Sequence, residues 1–186
     1  NKIYVSTEDS EIKKASLELG VNVLDREHNL SNDKTTSDQV LQNIAMQLKQ
    51  QKALPDYFVY LQLTEPFRPN GIIDKCIMAL INDETKDSSF AAFCTHKNYW
   101  INSGNTLERI SPAKDASIPR QEKSPIFRED TGIALVVKPE VFLQGNRIGR
   151  NPICIPYETY HSTVDIHTLN DLNFAEHLEY FLNKNE

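Results

Sequence analysis

A chain of 186 residues has the usual length of one domain with one hydrophobic core, so we expect a single domain over residues 1–186. Its 20 Lys and Arg residues against 26 Asp and Glu residues give a net charge of −6 with no basic cluster, which argues against a nucleic-acid partner. No apolar run is long enough to span a membrane and no signal peptide is visible, so we expect a cytoplasmic protein without a membrane partner.

Strand and helix patterns alternate through the first half of the chain. Apolar runs typical of strands lie at residues 3–5, 21–24, 57–63 and 90–94. Amphipathic helix patterns fill the intervals at residues 9–19, 37–52 and 72–81. This βαβα alternation predicts an α/β fold, a doubly wound and mostly parallel sheet with helices on its faces.

The alternation fails between residues 95 and 123, a segment rich in Asn, Ser, Pro and charge in which Tyr99 and Trp100 stand alone. Long connections of this kind are either functional excursions or disordered. Apolar segments at residues 133–137, 141–143 and 153–155 and a final helix over 169–182 then return the chain to the core.

Cysteine and histidine usage excludes several kinds of site. Three widely spaced cysteines within apolar runs predict reduced thiols and neither a metal knuckle nor a disulfide framework: Cys76, Cys94 and Cys154. The histidines show no His-x-x-x-His spacing, and no Gly-x-Ser-x-Gly elbow of a hydrolase is present.

The turn after the third predicted strand is the strongest candidate for a site. Residues 60–68 read Tyr-Leu-Gln-Leu-Thr-Glu-Pro-Phe-Arg, an apolar strand that ends in a polar turn. Ligands of open α/β sheets bind at the carboxyl ends of strands, so Gln62, Thr64 and Arg68 are predicted to face a crevice. A proline turn that merely connects strand and helix is the alternative.

A second candidate is the pair Asp165 and His167 before the last helix. Alternation along an extended run places both side chains on one side, where they could hold a metal. In the alternative, Asp165 caps the last helix and His167 is exposed.

Five segments, in the same order, resemble motifs of the acylneuraminate cytidylyltransferases, the CMP-sialic acid synthetases and their relatives. Residues 62–68 resemble the motif Gln-Pro-Thr-Ser-Pro-Leu-Arg, and the other matches are at residues 5–9, 30–37, 127–132 and 164–168. The resemblance runs from residue 3 to about residue 176. It implies a nucleotide-diphospho-sugar transferase-like fold that joins CTP and a nonulosonic acid to give a CMP-sugar and pyrophosphate.

The resemblance also implies residue roles. Arg26 and Ser37 match nucleotide contacts, and Asp33 shapes their loop, although residues 33–37 are equally the start signal of a helix. The positions of Asp165 and His167 hold the divalent metal in the family, so we expect Mg²⁺ or Mn²⁺. Histidine in place of the second family aspartate leaves the metal's identity open.

Sugar-binding positions are implied by the same matches. Gln62, Thr64 and Arg68 would orient the sugar acid together with Arg120 and Arg128, and Asp165 and Arg120 are the catalytic candidates. Solvated arginines are the alternative for Arg120 and Arg128. In the family, an arm corresponding to residues 95–123 pairs two subunits, which implies a homodimer.

The sequence departs from this family in two further places. It lacks the Arg-x-Gly-Ser-Lys loop that holds the CTP phosphates, so either the sequence is incomplete at its start or the protein is a catalytically inactive domain that binds a sugar acid or a partner. An extra Thr131 in the motif 127–132 leaves the identity of the nonulosonic acid open. A glycosyltransferase with an Asp-x-His metal motif is a further alternative.

Overall fold

The computed structural model describes residues 2–32, 34–110 and 118–184. The chain forms two compact units, the first from residues 1–58 and 137–151, and the second from residues 59–136 and 152–186. None of the described helices is long and apolar enough to cross a membrane.

The first unit opens with a short β-α-β arrangement. Strand β1 (Tyr4–Thr7) pairs in parallel with β2 (Asn22–Asp25), and helix α1 (Ser10–Glu18) connects them. Asp9 starts α1 because its Oδ1 accepts hydrogen bonds from the backbone N–H groups of Glu11 and Ile12, at 2.8 and 2.9 Å. The carboxyl ends of β1 and β2 therefore lie side by side.

Helix α2 (Ser37–Gln50) forms most of the core of the first unit. Thr36 and Gln39 form a capping box at its start, and Leu41, Ala45 and Leu48 form its buried stripe. It packs against the short helix α4 (Pro139–Leu143), whose Val141 and Phe142 are buried. The apolar segment predicted at residues 141–143 therefore does return to the core, as a helical turn.

The second unit is built on a mixed sheet. Its strands in the described residues are β3 (Phe58–Tyr60), β4 (Ser88–Thr95), β7 (Ile126–Glu129), β8 (Leu135–Val137) and β9 (Pro152–Tyr157). The order is β3-β8-β4-β7, with β9 also paired to β4. Strand β4 runs parallel to β9 and antiparallel to β7, so the sheet is less uniformly parallel than predicted.

Two helices accompany this sheet. Helix α3 (Ile72–Asn82) buries Ile72, Cys76 and Leu80, and the hydroxyl of Ser89 on β4 donates to the backbone carbonyl of Cys76 at 2.6 Å. Helix α5 (Leu169–Asn183) begins with a capping box of Thr168 and Asp171. All three cysteines are free thiols, as predicted, with Cys76 buried and the other two half-buried.

The segment between β4 and β7 contains a hairpin. Strands β5 (Trp100–Asn102) and β6 (Leu107–Arg109) are antiparallel, and the Arg109 guanidinium lies 4.7 Å from the centre of the Trp100 ring. Trp100 is nevertheless 54% exposed. The predicted excursion is therefore partly ordered as a hairpin, while residues 111–117 lie outside the described residues.

The structure differs from the sequence-based expectation at three segments. The strand predicted over residues 57–63 covers only Phe58–Tyr60, because the polar turn begins directly after it. Strand β7 was not predicted, since its sequence Ile-Phe-Arg-Glu is half polar. Residues 164–167 extend from a 3₁₀ turn and pair with no strand in the described part of the chain.

Candidate functional site

The turn after β3 is held in place by Arg68. Its guanidinium donates from Nε to the carbonyl oxygen of Ile133 at 3.0 Å, and from Nη2 to the carbonyl oxygens of Gly132, at 3.4 Å, and Gln62. The backbone N–H of Gln62 also donates to the Gly132 carbonyl at 2.9 Å. Arg68 thus joins the turn to residues 132–133, a bracing role that the sequence analysis did not predict.

Glu65 lies at the centre of this turn, and sequence reasoning missed it. It is 8% exposed, and its Oε2 has no hydrogen-bond partner among the described residues. Burial raises the pKa of Glu65 to about 7, with the negative charges of Asp165 and Asp130 adding to the effect. The sequence did contain an indication that Glu65 is unusual: it occupies the position at which the family motif Gln-Pro-Thr-Ser-Pro-Leu-Arg has serine.

The two polar side chains of the turn meet over Gly132. A Cβ at Gly132 would lie 1.8 Å from Glu65 Oε2 and 2.2 Å from Gln62 Oε1. A side chain at this position would therefore displace both groups. Because Gly132 has no side chain, the Gln62 amide and the Glu65 carboxyl group can occupy the space that a Cβ would fill.

Arg128 is paired within the protein. It forms a bidentate ion pair with Asp130, at 2.7 Å from Nε to Oδ1 and 3.0 Å from Nη2 to Oδ2. The hydroxyl of Tyr157 also donates to Asp130 Oδ2. The hydrogen bond to Asp130 raises the pKa of Arg128, and burial raises that of Tyr157. The positive charge of Arg128 is therefore largely compensated by a buried carboxylate.

Asp165 and His167 face each other as alternation predicted. Their Oδ2 and Nε2 atoms lie 2.7 Å apart, and the side chains are 42% and 71% exposed. The backbone N–H of Ile166, between them, donates to the Thr64 carbonyl at 2.8 Å, which ties this pair to the turn after β3. Thr168 and Asp171 cap α5, so Asp165 is not the cap.

Asp165 and His167 fit a metal site in which the protein supplies only one or two ligands. Within residues 2–32, 34–110 and 118–184, no group of three or more His, Cys, Asp or Glu side chains is placed to hold a metal ion. Magnesium in nucleotide enzymes is often held by one or two protein ligands, with substrate phosphates and water completing its shell. The exposed Asp165 carboxylate with the adjacent imidazole is compatible with this mode.

Arg120 lies in a basic cleft of the second unit. It starts a 3₁₀ turn, and the cleft is lined by Thr95, His96, Lys97, Asn98, Arg120, Lys123 and Tyr160. The ammonium group of Lys123 donates to Asn98 Oδ1 at 3.4 Å. Among the described residues that line this cleft, Lys97, Arg120 and Lys123 are cations and none carries a carboxylate.

The predicted nucleotide contacts lie in the first unit. Arg26 follows β2, and its guanidinium contacts the end of β1, donating to the Ser6 hydroxyl at 3.4 Å and to the Ser6 carbonyl. It also lies 3.9 Å from Glu8. Ser37 is the first residue of α2 and Thr36 is its cap, while Asp33 lies outside the described residues.

Comparisons with known proteins agree with this fold. The chain is similar to a CMP:2-keto-3-deoxy-manno-octonic acid synthetase complexed with CTP, with a TM-score of 0.67 and 12% identity over 97% of this chain and 81% of that one. It is also similar to the 4-diphosphocytidyl-2C-methyl-D-erythritol synthase of Anaerococcus prevotii, with a TM-score of 0.61 and 14% identity over 96% and 78% of the two chains. At these identities the likeness shows the fold, the α/β fold of nucleotidyltransferases.

A third similar structure is the 2-C-methyl-D-erythritol 4-phosphate cytidylyltransferase of Thermus thermophilus, with a TM-score of 0.53 and 11% identity over 96% of this chain and 82% of that one. No curated protein matches the chain in sequence. The family model described as cytidylyltransferase matches residues 1–184, nearly the whole chain. On this match, the chain belongs to the cytidylyltransferase family.

Proposed function

We propose that the protein transfers the cytidylyl group of CTP to a hydroxyl group of a nonulosonic acid, giving a CMP-sugar and pyrophosphate. Family membership supports the nucleotide part of this reaction. The observation that carries the acceptor part is the turn after β3, where Gln62 and Glu65 present hydrogen-bonding groups over Gly132 and Thr64 is bonded to the Asp165–His167 segment. Such a cluster suits a polyhydroxylated acceptor.

The proposed reaction needs alignment more than it needs a protein nucleophile. The acceptor oxygen forms a bond to the α-phosphorus as the bond to pyrophosphate breaks, and the hydroxyl proton is released. Arg26 and Ser37 are proposed to contact the nucleotide, and Asp165 with His167 to hold Mg²⁺ or Mn²⁺. When bound, such a metal neutralises charge on the departing pyrophosphate.

Charge distribution suggests where the acid group of the acceptor binds. Arg68 is occupied by three backbone carbonyls and Arg128 by Asp130, so neither guanidinium is well placed to pair with a substrate carboxylate. Arg120 lies with Lys97 and Lys123 in the basic cleft. We therefore assign the acceptor's carboxylate to the Arg120 cleft, because clustered cations bind carboxylates strongly.

The hairpin of β5 and β6 supports a proposed homodimer. Trp100, Ile101 and Leu107 are all more than half exposed on this hairpin. Exposed aromatic and aliphatic groups on a protruding segment are typical anchors of subunit interfaces.

A pyrophosphate-release assay tests the proposed reaction. CTP, UTP and ATP are each combined with 3-deoxy-manno-octulosonate, N-acetylneuraminate or 2-C-methylerythritol 4-phosphate, with Mg²⁺ or Mn²⁺. We expect release only with CTP and a nonulosonic acid. Equal release with the methylerythritol phosphate, or none with any nonulosonic acid, contradicts the assignment; sugar-acid binding without release supports the inactive binding domain instead.

A further inference from the structure

Glu65 Oε2 is a buried oxygen without a partner in the described part of the chain. Leaving a buried polar atom unpaired is unfavourable, and buried polar atoms in folded proteins are nearly always hydrogen-bonded. A glutamate that is 8% exposed and buried in this way is therefore unfavourable unless something else supplies the partner.

The surroundings of Glu65 point to a ligand as that partner. The two cations that act electrostatically on Glu65 are engaged elsewhere: Arg68 donates to three backbone carbonyls, and Arg128 forms an ion pair with Asp130. The Gln62 amide oxygen extends over the same glycine as Glu65 Oε2, so two hydrogen-bonding groups share one small space. A ligand hydroxyl group that hydrogen-bonds to Glu65 Oε2 would therefore also lie beside the Gln62 amide.

We infer that Glu65 is a binding residue for the acceptor, whose hydroxyl group hydrogen-bonds to Glu65 Oε2 beside the Gln62 amide. The inference rests on the proposed function and deepens it by naming a residue that selects polyhydroxylated acceptors. Paired hydrogen-bonding groups are well suited to a carbohydrate, because a site built to bind a hydroxyl discriminates strongly against a compound that lacks it.

Direct titration of acceptors tests the inference without requiring turnover. Calorimetry measures the Kd of 3-deoxy-manno-octulosonate, N-acetylneuraminate and 2-C-methylerythritol 4-phosphate for the wild type, Glu65→Leu, Glu65→Gln and the control Glu179→Gln, which removes an exposed carboxylate on α5. We expect Glu65→Leu to raise Kd about tenfold or more, because the hydroxyl loses its partner in a buried site. Glu65→Gln should retain most of the affinity, and Glu179→Gln all of it.

Thermal unfolding separates a binding role from a structural one. Since leucine replaces an unpaired buried carboxyl group, Glu65→Leu should unfold at the same or a higher temperature than the wild type. If Glu65→Leu fails to fold, the side-chain carboxyl carbon of Glu65 is followed by NMR in the wild type, assigned through its loss in Glu65→Gln. Its resonance should shift when the acceptor is added.

The outcomes separate this inference from the proposed function. Unchanged Kd in Glu65→Leu, or an unshifted Glu65 resonance with acceptor bound, overturns the inference and leaves the proposed reaction standing. Release of pyrophosphate from CTP with no measurable binding of any of the three acceptors also overturns it. If the wild type neither binds an acceptor nor releases pyrophosphate, both are wrong.

Discussion

Among single residues, Glu65 depends most on parts of the chain that are distant in sequence. Its carboxyl group occupies space that a side chain at Gly132 would fill. Burial and the nearby carboxylates of Asp165 and Asp130 raise its pKa to about 7. The chemistry of this one side chain is therefore set by other segments of the second unit.

The raised pKa of Glu65 makes stability depend on pH. Burial raises this pKa most, Asp165 and Asp130 raise it further, and Arg128 and Arg68 lower it, which gives about 7 against 4.5 for the unperturbed group. Between these pH values the folded protein therefore binds more protons than the unfolded chain. The stability that depends on a protonated Glu65 is fully present below about pH 4.5 and is lost as pH rises through about 7.

Urea unfolding at pH 5 and pH 8 measures this effect. We expect the free energy of unfolding to fall by roughly 2 kcal/mol more in the wild type than in Glu65→Gln, since one pKa unit corresponds to about 1.4 kcal/mol and solvent screening reduces the total. Glu179→Gln should behave as the wild type. A wild-type pH dependence identical to that of Glu65→Gln would show that Glu65 ionises normally.

Gly132→Ala should destabilise the protein by about 1–3 kcal/mol, because the new methyl group collides with the Glu65 and Gln62 side chains. The same substitution in a Glu65→Ala background should cost markedly less, since one of the colliding groups is gone. Chemical denaturation of the wild type, both single variants and the double variant gives the coupling energy. Additive costs would mean that the two positions do not interact.

At the scale of elements, helices were predicted better than strands. Helices α1, α2, α3 and α5 lie close to their predicted bounds because each segment encodes its apolar periodicity, and α1, α2 and α5 also their side-chain caps. Strand β7 is polar in sequence and becomes a strand through its pairing with β4, which is distant in the chain. The bracing role of Arg68 was missed for the same reason, as its acceptors include Gly132 and Ile133.

Replacing Arg68 should loosen the turn after β3. Arg68→Leu leaves backbone carbonyls without their donor, so we expect a loss of about 2 kcal/mol in unfolding free energy. Arg68→Lys should recover only part of it, because an ammonium group lacks the planar fork of donors. Denaturation curves compare the three proteins, and equal stability of Arg68→Leu and wild type would refute the bracing role.

At the level of the whole molecule, sequence motifs indicated the cytidylyltransferase family, while the acylneuraminate type that they resemble stays a prediction. The prediction of a cytidylyltransferase with an α/β fold is confirmed by the family match and the similar structures. The acceptor, the metal and the dimer stay predictions. The acceptor is hardest to predict, because related folds act on 2-keto-3-deoxy-manno-octonic acid and on methylerythritol phosphate, as the names of those proteins state.

Trp100→Ala should weaken the proposed dimer. The indole is more than half exposed on the β5–β6 hairpin, so its loss would remove apolar contact area from an interface while leaving the core intact. Light scattering at tens of micromolar should show a dimer for the wild type and a larger monomer fraction for the variant. A wild-type monomer would refute the proposed role of the hairpin.

The proposed reaction forms a CMP-sugar from CTP and a nonulosonic acid. Phosphorus NMR of CTP, Mg²⁺ and 3-deoxy-manno-octulosonate or N-acetylneuraminate follows both products in one sample. We expect matched growth of a phosphodiester signal and a pyrophosphate signal with the wild type, and neither with Asp165→Ala. Unchanged CTP with every nonulosonic acid, or hydrolysis to CMP without a phosphodiester, would contradict it.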